Sequence, residues 1–354
     1  MYQYFIILQI EFIYYTVIAV LGTLGKSLEF CCTAASLHYP SSVHYSSIAL
    51  QAYHANTLAI VVLCRGKCNL SKCITCYLVG MAAADLLVVI SDVIVFRICY
   101  YYPGSFLDST PVCCLNEFLR YAATTVSVWL TVAFTFDRFV IICWQNLKNK
   151  YCTARTSAVV IGTVTVLGCL ECVPWYFRYE PRFVINNIPW RCSTALNLYI
   201  SPSWTMFELF HRTLVPCVPF VLILLLNSFT IRHILLSSKI RKGLRGGGNG
   251  DDHKDPELES RRKSIVLLFT ISGSFILLWL TDVVFYMYQR ISNIKYYTAN
   301  DPAYIVASSG AMLQLLSSCT NTCIYAVTQT KFREELKNVV LYPHHLIVKL
   351  LRKG

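Results

Sequence analysis

Long apolar runs separated by short basic stretches dominate this chain. Apolar blocks run over 74–100, 114–143, 157–177, 204–236, 264–288 and 303–328. Each reaches the roughly 20 residues that a helix needs to cross a bilayer. The runs are continuous rather than alternating, so the pattern predicts helices and not barrel strands. A seventh block, the first in the chain, is broken. Residues 12–22 and 55–63 are each too short to span, and together they make about one helix. Between them, residues 23–54 carry Lys26, Glu29, His38, Pro40, His44 and His54, a poor fit to a hydrocarbon core. Two readings stand: an insertion within helix one, as an intron-derived piece of a gene would give, or a long N-terminus with a short first helix from near Ile48. The insertion is the preferred expectation. The predicted organisation is residues 1–63 for the N-terminus and helix one, 64–328 for the other six helices, and 329–354 for a tail. A flexible Gly-rich loop lies at 238–263, around Gly246-Gly247-Gly248. The tail opens with an amphipathic run, Lys331-Phe332-Arg333-Glu334-Glu335-Leu336, expected to lie on the membrane surface.

Composition agrees with a membrane class. The chain is 55% hydrophobic and 14% charged, with a mean hydropathy of +0.51, against roughly 25% charged residues in soluble domains. The net charge of +12 does not point to nucleic acid, because the basic residues sit between apolar blocks. They fall instead in alternate connections. Segment 64–73 has Arg65, Lys67 and Lys72, segment 144–156 has Lys148, Lys150 and Arg155, and segment 232–263 has nine Lys and Arg. Basic loops face the cytosol. The expected topology is therefore a multi-pass plasma-membrane protein with its N-terminus outside and its tail inside.

Cysteine is abundant, with 17 residues, most of them inside apolar blocks where a thiol acts as a small hydrophobe. Cys64, Cys68, Cys73 and Cys76 have spacings that imitate a metal cluster, but no His accompanies them, and no zinc site is expected. No Ser/His/Asp, Cys/His or phosphate-binding constellation suggests catalysis, and the chain does not read as an enzyme.

Charged residues inside the blocks are the functional candidates. Asp137-Arg138-Phe139 ends the third block, and Asp85 lies within the second, after Ala82-Ala83-Ala84. Trp279 sits in Leu278-Trp279-Leu280-Thr281, and the seventh block holds Asn321-Thr322-Cys323-Ile324-Tyr325. Together these motifs resemble those of rhodopsin-like G-protein-coupled receptors over about residues 55–337. The resemblance implies an all-α, seven-helix transmembrane bundle with a short eighth helix. It implies a heterotrimeric G-protein as cytosolic partner, engaged through Asp137, Arg138 and Phe139, with Trp279, Asn321 and Tyr325 as switch residues. Asn56 would be the Asn of its first helix. It implies no organic cofactor, but an allosteric sodium ion at Asp85, Ser127, Ser317 and Asn321, an oxygen set that suits a hard cation. It also implies a disulfide between Cys113 and Cys192, with Cys114 as a competitor.

The chain departs from the family in several places. Phe139 replaces the commoner Tyr, Thr281 stands where helix six has Pro, and Thr322 where helix seven has Pro. A Thr bends a helix far less than a Pro. On helix five, Pro216 and Pro219 compete as the kink residue. Within the family, Val128-Trp129-Leu130-Thr131-Val132, Leu214-Val215-Pro216-Cys217 and Asn227-Ser228 are most similar to the orphan group of probable G-protein-coupled receptor 139. That likeness implies an aromatic amino-acid ligand such as L-tryptophan or L-phenylalanine.

The residues themselves leave the ligand site with two readings. Arg120, 18 positions before Arg138, argues against a cationic amine and offers a fork to a carboxylate. Glu117, Glu208, His211 and Asp282 add polar groups, and Tyr121, Phe285 and Tyr286 add aromatic surface. In one reading a zwitterionic aromatic amino acid or small peptide uses Arg120 for its carboxylate. In the other, Arg120, Glu117 and Asp282 neutralise one another around a lipid-like pocket. Alternatives to a signalling receptor are a non-signalling or mispredicted receptor copy, or a membrane transporter, although no paired halves are evident.

Overall fold

The computed structural model describes residues 42–95, 106–144, 152–244, 256–292 and 302–351. Helix α1 is Ser42–Cys64, α2 is Lys72–Val89, α3 is Thr110–Cys143 and α4 is Ala154–Cys172. The span Pro202–Ser237 (α5) consists of a helix Pro202–Arg212, a π-helical turn Thr213–Cys217 and a helix that continues to Leu244. Helix α6 is Pro256–Ile291, α7 is Pro302–Thr328 and α8 is Thr330–Leu351. Five stretches among the described residues, covering α2 to α6, are long and apolar enough to cross a membrane. In α1 the apolar part is shorter, Ala52–Cys64.

Local chemistry sets the helix ends. Ser71 Oγ accepts the Ile74 amide at the start of α2, and Thr153 Oγ1 accepts the Thr156 amide at the start of α4, each closing an otherwise unpaired donor. Pro111 sits in the first turn of α3 and Pro202 opens α5, where a missing N–H costs nothing. Within α5 the widened turn surrounds Pro216, and the Val218 amide reaches back five residues to Thr213 O. Of the two competing prolines, Pro216 is the one inside the irregular turn. Beyond Val89, α2 widens into a π-helical stretch, Ile90–Val95, whose Ser91 carbonyl is satisfied by Asn116 Nδ2 at 3.0 Å.

Helix α3 is central. Its most apolar window is 56% buried, against 17% for α4, so α4 lies at the periphery. Close approach of the two is permitted by Gly168, where a Cβ would stand 3.1 Å from Val126 Cγ2. The main core joins Leu63, Tyr77, Leu78, Met81, Leu130, Phe134, Leu267, Ile271, Tyr325 and Phe332. Asn56 binds α1 to α7: its Nδ2 donates to Ser318 O at 2.8 Å, and its Oδ1 accepts from Thr322 Oγ1 at 3.4 Å.

Three features differ from the sequence expectation. Helix α1 runs on through residues 42–54, the C-terminal part of the segment read as an interruption, with Ala52 buried against Val89 and Leu315. The rest of that segment, and block 12–22, lie outside the described residues. The two flanks of the loop expected at 238–263 are helical, because α5 extends to Leu244 and α6 begins at Pro256, while its Gly-rich middle, 245–255, lies outside the described residues. Proline at the first helical position followed by Glu257 and Glu259 is a good helix start. Finally, the amphipathic run after α7 is the opening of a 22-residue helix. Phe332 is fully buried there, edge-on to Tyr325 at 5.8 Å, while Arg333 Nη1 donates to Ala326 O and Val327 O at 3.2 and 2.9 Å. A cation thus satisfies carbonyls at the end of α7.

A two-stranded antiparallel hairpin, β1 (Tyr179–Ile185) and β2 (Ile188–Thr194), was not foreseen. Its two-residue turn is Asn186-Asn187, with φ of 50° and 60°. Asn tolerates this left-handed region, and such turns match the twist of the strands.

Candidate functional site

Three polar clusters lie along α3. At the hairpin end, Glu117 is 6% exposed and holds two arginines. Arg120 Nε and Nη2 donate to its two oxygens at 3.2 and 3.0 Å, and Arg178 Nη1 donates to Oε1 at 2.8 Å. Arg120 Nη1 also lies 3.6 Å from Asp92 Oδ1, and its guanidinium sits 4.4 Å from the Tyr121 ring centroid. Arg178 also donates to Tyr121 Oη at 3.1 Å. Nearby, burial first and Glu117 second push the Tyr179 phenol upward.

Arg120 is therefore paired with both Glu117 and Asp92. Of the two sequence readings, mutual neutralisation fits, but with different partners: Asp92 and Arg178 take part, and no ion pair links Asp282 to Arg120 among the described residues. Asp282 instead lies against α7, where Gly310 brings a would-be Cβ within 3.5 Å of its Cα. Glu208 pairs with Arg212 at 3.6 Å, one turn along its own helix, rather than with Arg120. His211 joins an aromatic nest. Its Nδ1 is 2.8 Å from Glu171 Oε1, and its ring stands edge-on to Tyr121 and Trp175, each at 5.2 Å. Tyr121 stacks on Trp175 at 3.7 Å. Phe285 and Tyr286 are buried on α6.

The hairpin closes over this end. Cys113 is bonded to Cys192, joining the first turn of α3 to β2. Thr110 Oγ1 donates to Arg191 O at 2.8 Å, and Ser109 bridges Trp190. The competitor, Cys114, is a buried free thiol directed at Tyr179 O, 3.7 Å away.

Midway along α3, Ser127 Oγ donates to Asp85 Oδ1 at 2.5 Å and Asn321 Nδ2 donates to Asp85 Oδ2 at 2.9 Å. Asp85 is 1% exposed, and its carboxylate has a donor on each oxygen. Ser317 accepts Trp279 Nε1 at 3.4 Å, which links the helix-six Trp to the helix-seven side of the cluster. Trp279 itself stacks with Phe275 at 5.3 Å. Asp85 and Ser127 offer oxygens of the kind a hard monovalent cation takes, whereas Ser317 is engaged by Trp279.

At the far end of α3, Asp137 and Arg138 are 4% and 3% exposed and form a salt bridge, with Arg138 Nε 3.1 Å from Asp137 Oδ2. Isolated charges would not persist at this depth. The pair is supported from α2, where Cys73 Sγ is 3.6 and 3.7 Å from the Asp137 oxygens. Arg138 Nη2 also reaches Cys152 Sγ at 3.5 Å. Phe139 packs on Trp144 and Phe229 at 5.4 and 6.4 Å. Tyr325 is fully buried, and its hydroxyl has no hydrogen-bond partner among the described residues.

Sequence reasoning missed Asp92, Glu171, Trp175, Arg178 and the Cys73/Cys152 pair. Arg178 carried a usable signal, as a charge that directly follows a predicted span. The others become visible only when separate helices meet.

Comparison with known proteins agrees with this geometry. The profile of 7 transmembrane receptors (rhodopsin family) matches residues 55–325. The chain is 25% identical over 230 residues to the thyrotropin-releasing hormone receptor of Ovis aries, covering 62% of this chain and 55% of that receptor. It is 23% identical over 304 residues to the sex peptide receptor of Drosophila melanogaster, covering 81% and 69%. It is 23% identical over 313 residues to the melatonin receptor type 1C of Xenopus laevis, covering 84% and 67%. The chain spans 55–61% of the length of the thyrotropin-releasing hormone receptors it matches. The chain belongs to the rhodopsin family of seven-transmembrane receptors.

Proposed function

We propose that this chain is a seven-span plasma-membrane receptor that binds an extracellular ligand and activates a heterotrimeric G-protein. Its N-terminus lies outside and its tail in the cytosol, as the basic connections favour. The observation that carries the reading is the buried Asp137–Arg138 pair on α3, the helix that also carries Ser127 of the Asp85 cluster and Glu117. A ligand that prefers one packing of the bundle shifts its population. Arg138 then exchanges Asp137 for the G-protein, a change of partner to which a delocalised guanidinium is suited. Asp85, Ser127, Ser317 and Asn321 would hold a sodium ion, which would supply a positive charge to the buried carboxylate.

The ligand is a small peptide or an aromatic amino acid, as the likeness to the orphan receptor group suggests. The names of the thyrotropin-releasing hormone and sex peptide receptors support the peptide class. Its recognition differs from the simple fork to Arg120. A ligand carboxylate competes with Asp92 and Glu117 for Arg120, or addresses Arg178, and the ring is received by Tyr121, Trp175 and His211. The test is calcium mobilisation by L-tryptophan, L-phenylalanine and a panel of short peptides, with Arg120→Ala and Arg178→Ala alongside. An agonist whose potency neither substitution changes would remove the carboxylate role. A second reading, a poorly signalling copy, draws on α6, which runs as a single helix from Pro256 to Ile291 with no proline hinge. Thr281→Pro separates the two, because it strengthens signalling only in a folded, coupling-competent receptor.

A further inference from the structure

The cytosolic end of the bundle holds a thiol pair that the receptor reading does not use. Cys73 lies in the first turn of α2, and Cys152 just precedes α4. Their sulfurs and the Asp137 carboxylate lie within 4.8 Å of one another. Cys73 is 1% exposed, whereas Cys152 is half-buried and accessible. Arg138 Nη2 stands 3.5 Å from Cys152 Sγ and 4.0 Å from Cys73 Sγ. We infer that Cys152 and Cys73 form a peroxide-reactive couple, in which Cys152 is the attacking thiol and Cys73 resolves it to a reversible disulfide beside Arg138.

Geometry and charge assign the roles. An accessible thiol facing a guanidinium is the usual setting of a reactive cysteine, and a neighbouring buried thiol is placed to resolve it. The groups facing Cys152 are Cys73 on α2, Arg138 and Asp137 on α3, and the Ser71 hydroxyl at 3.8 Å. The hydrogen bond from Cys73, then the Arg138 guanidinium, bring the Cys152 thiol down to about 6, against desolvation and Asp137. The same arrangement argues against a metal ion, since a guanidinium nitrogen already stands within 4.0 Å of both sulfurs and repels a second cation.

The chemistry balances with a hydroperoxide as oxidant. The Cys152 thiolate attacks the distal oxygen, an S–O bond forms, the O–O bond breaks, and the departing alkoxide or hydroxide takes a proton. The sulfenic acid formed is then attacked by the Cys73 sulfur. The S–S bond forms, the S–O bond breaks, and hydroxide leaves with the Cys73 proton as water. Cytosolic thiols return the pair to its reduced state, so the bond is transient. The disulfide removes the thiolate partner of Arg138 and ties the segment before α4 to α2. Its consequence for coupling rests on the receptor reading, but the bond itself does not.

The test uses the full chain in membranes from expressing cells, exposed to a brief hydrogen peroxide pulse. Free thiols are blocked with one maleimide, reducible bonds are opened, the new thiols are tagged with a second maleimide, and peptides are read by mass spectrometry. The expected result is the second tag on both Cys73 and Cys152, while Cys64 and Cys76 keep the first. In Cys73→Ser, Cys152 is instead trapped by dimedone as the sulfenic acid. In Cys152→Ser, neither Cys73 oxidation nor dimedone trapping is seen. Alkylation of Cys152 without peroxide reaches half its maximal rate at a lower pH than that of an ordinary thiol, and moves to higher pH in Arg138→Ala. Retention of the first tag on both residues after peroxide overturns the proposal. So does protection of the pair that a chelator, not a reductant, releases, which is the signature of a metal site.

Discussion

Replacing Glu117 by Gln tests the polar network at the hairpin end of α3. The carboxylate accepts three charge-assisted hydrogen bonds, two from Arg120 and one from Arg178. Gln keeps the shape but loses the charge and turns an amide N–H toward a guanidinium. Breaking a fully buried pair costs about 3–5 kcal/mol. Here the two arginine side chains are 30% and 29% exposed, so water recovers part of that loss, and about 2–3 kcal/mol remains. At roughly 2–4 °C per kcal/mol, the purified protein in detergent should melt about 4–12 °C lower. The many buried free cysteines make a fluorogenic thiol dye a direct reporter of unfolding. The double variant Glu117→Gln/Arg178→Gln should be less destabilised than the sum of the single variants by about 1–2 kcal/mol, as expected for residues in direct contact. A shift below about 1 °C for Glu117→Gln, or strict additivity in the double variant, would refute the assignment of Glu117 as the acceptor that holds both arginines.

Three other expectations follow from single contacts. Cys192→Ser opens a loop with a sequence separation of 79, worth about 4–5 kcal/mol on the chain-entropy scale. It should abolish surface expression measured by antibody labelling, whereas Cys114→Ser should not. Phe332→Ala leaves a cavity beneath α8 and should cost about 3–4 kcal/mol. It should lower the melting temperature and expose α8 to limited proteolysis. Asp85→Asn should remove any difference in ligand affinity between sodium chloride and choline chloride buffers, and a persisting sodium effect would place the ion elsewhere.

The bundle was legible because hydropathy and length decide it. The blocks starting near 74, 114, 157, 204, 264 and 303 all became helices, with ends displaced by a few residues where Ser71, Thr153 and Pro202 set the caps. One reading of the sequence began the first helix near Ile48, and its true start at Ser42 was hidden because residues 42–47 carry Ser42, His44, Ser46 and Ser47, which hydropathy scores against a span even though the backbone is helical. The hairpin was legible in principle, since Asn186-Asn187 between two apolar-rich runs is a turn signal, but its two seven-residue strands are short beside the long apolar helices around them. Within the site, Glu117 and Arg120 were readable as a pair one turn apart on a single helix. The partners Asp92 and Arg178 come from other elements, and no spacing along the chain encodes that meeting. Cys152 was opaque for the same reason, because the residues that activate it sit on α2 and α3.

The most direct test of the central claim is guanine-nucleotide exchange on each class of Gα subunit in membranes that carry the intact chain. It should be measured basally and with the amino-acid and peptide panel, for wild type and for Arg138→Ala at matched surface density. The account predicts exchange on at least one Gα class and its loss in Arg138→Ala. Exchange that survives Arg138→Ala, or none on any Gα with normal surface expression, would contradict it.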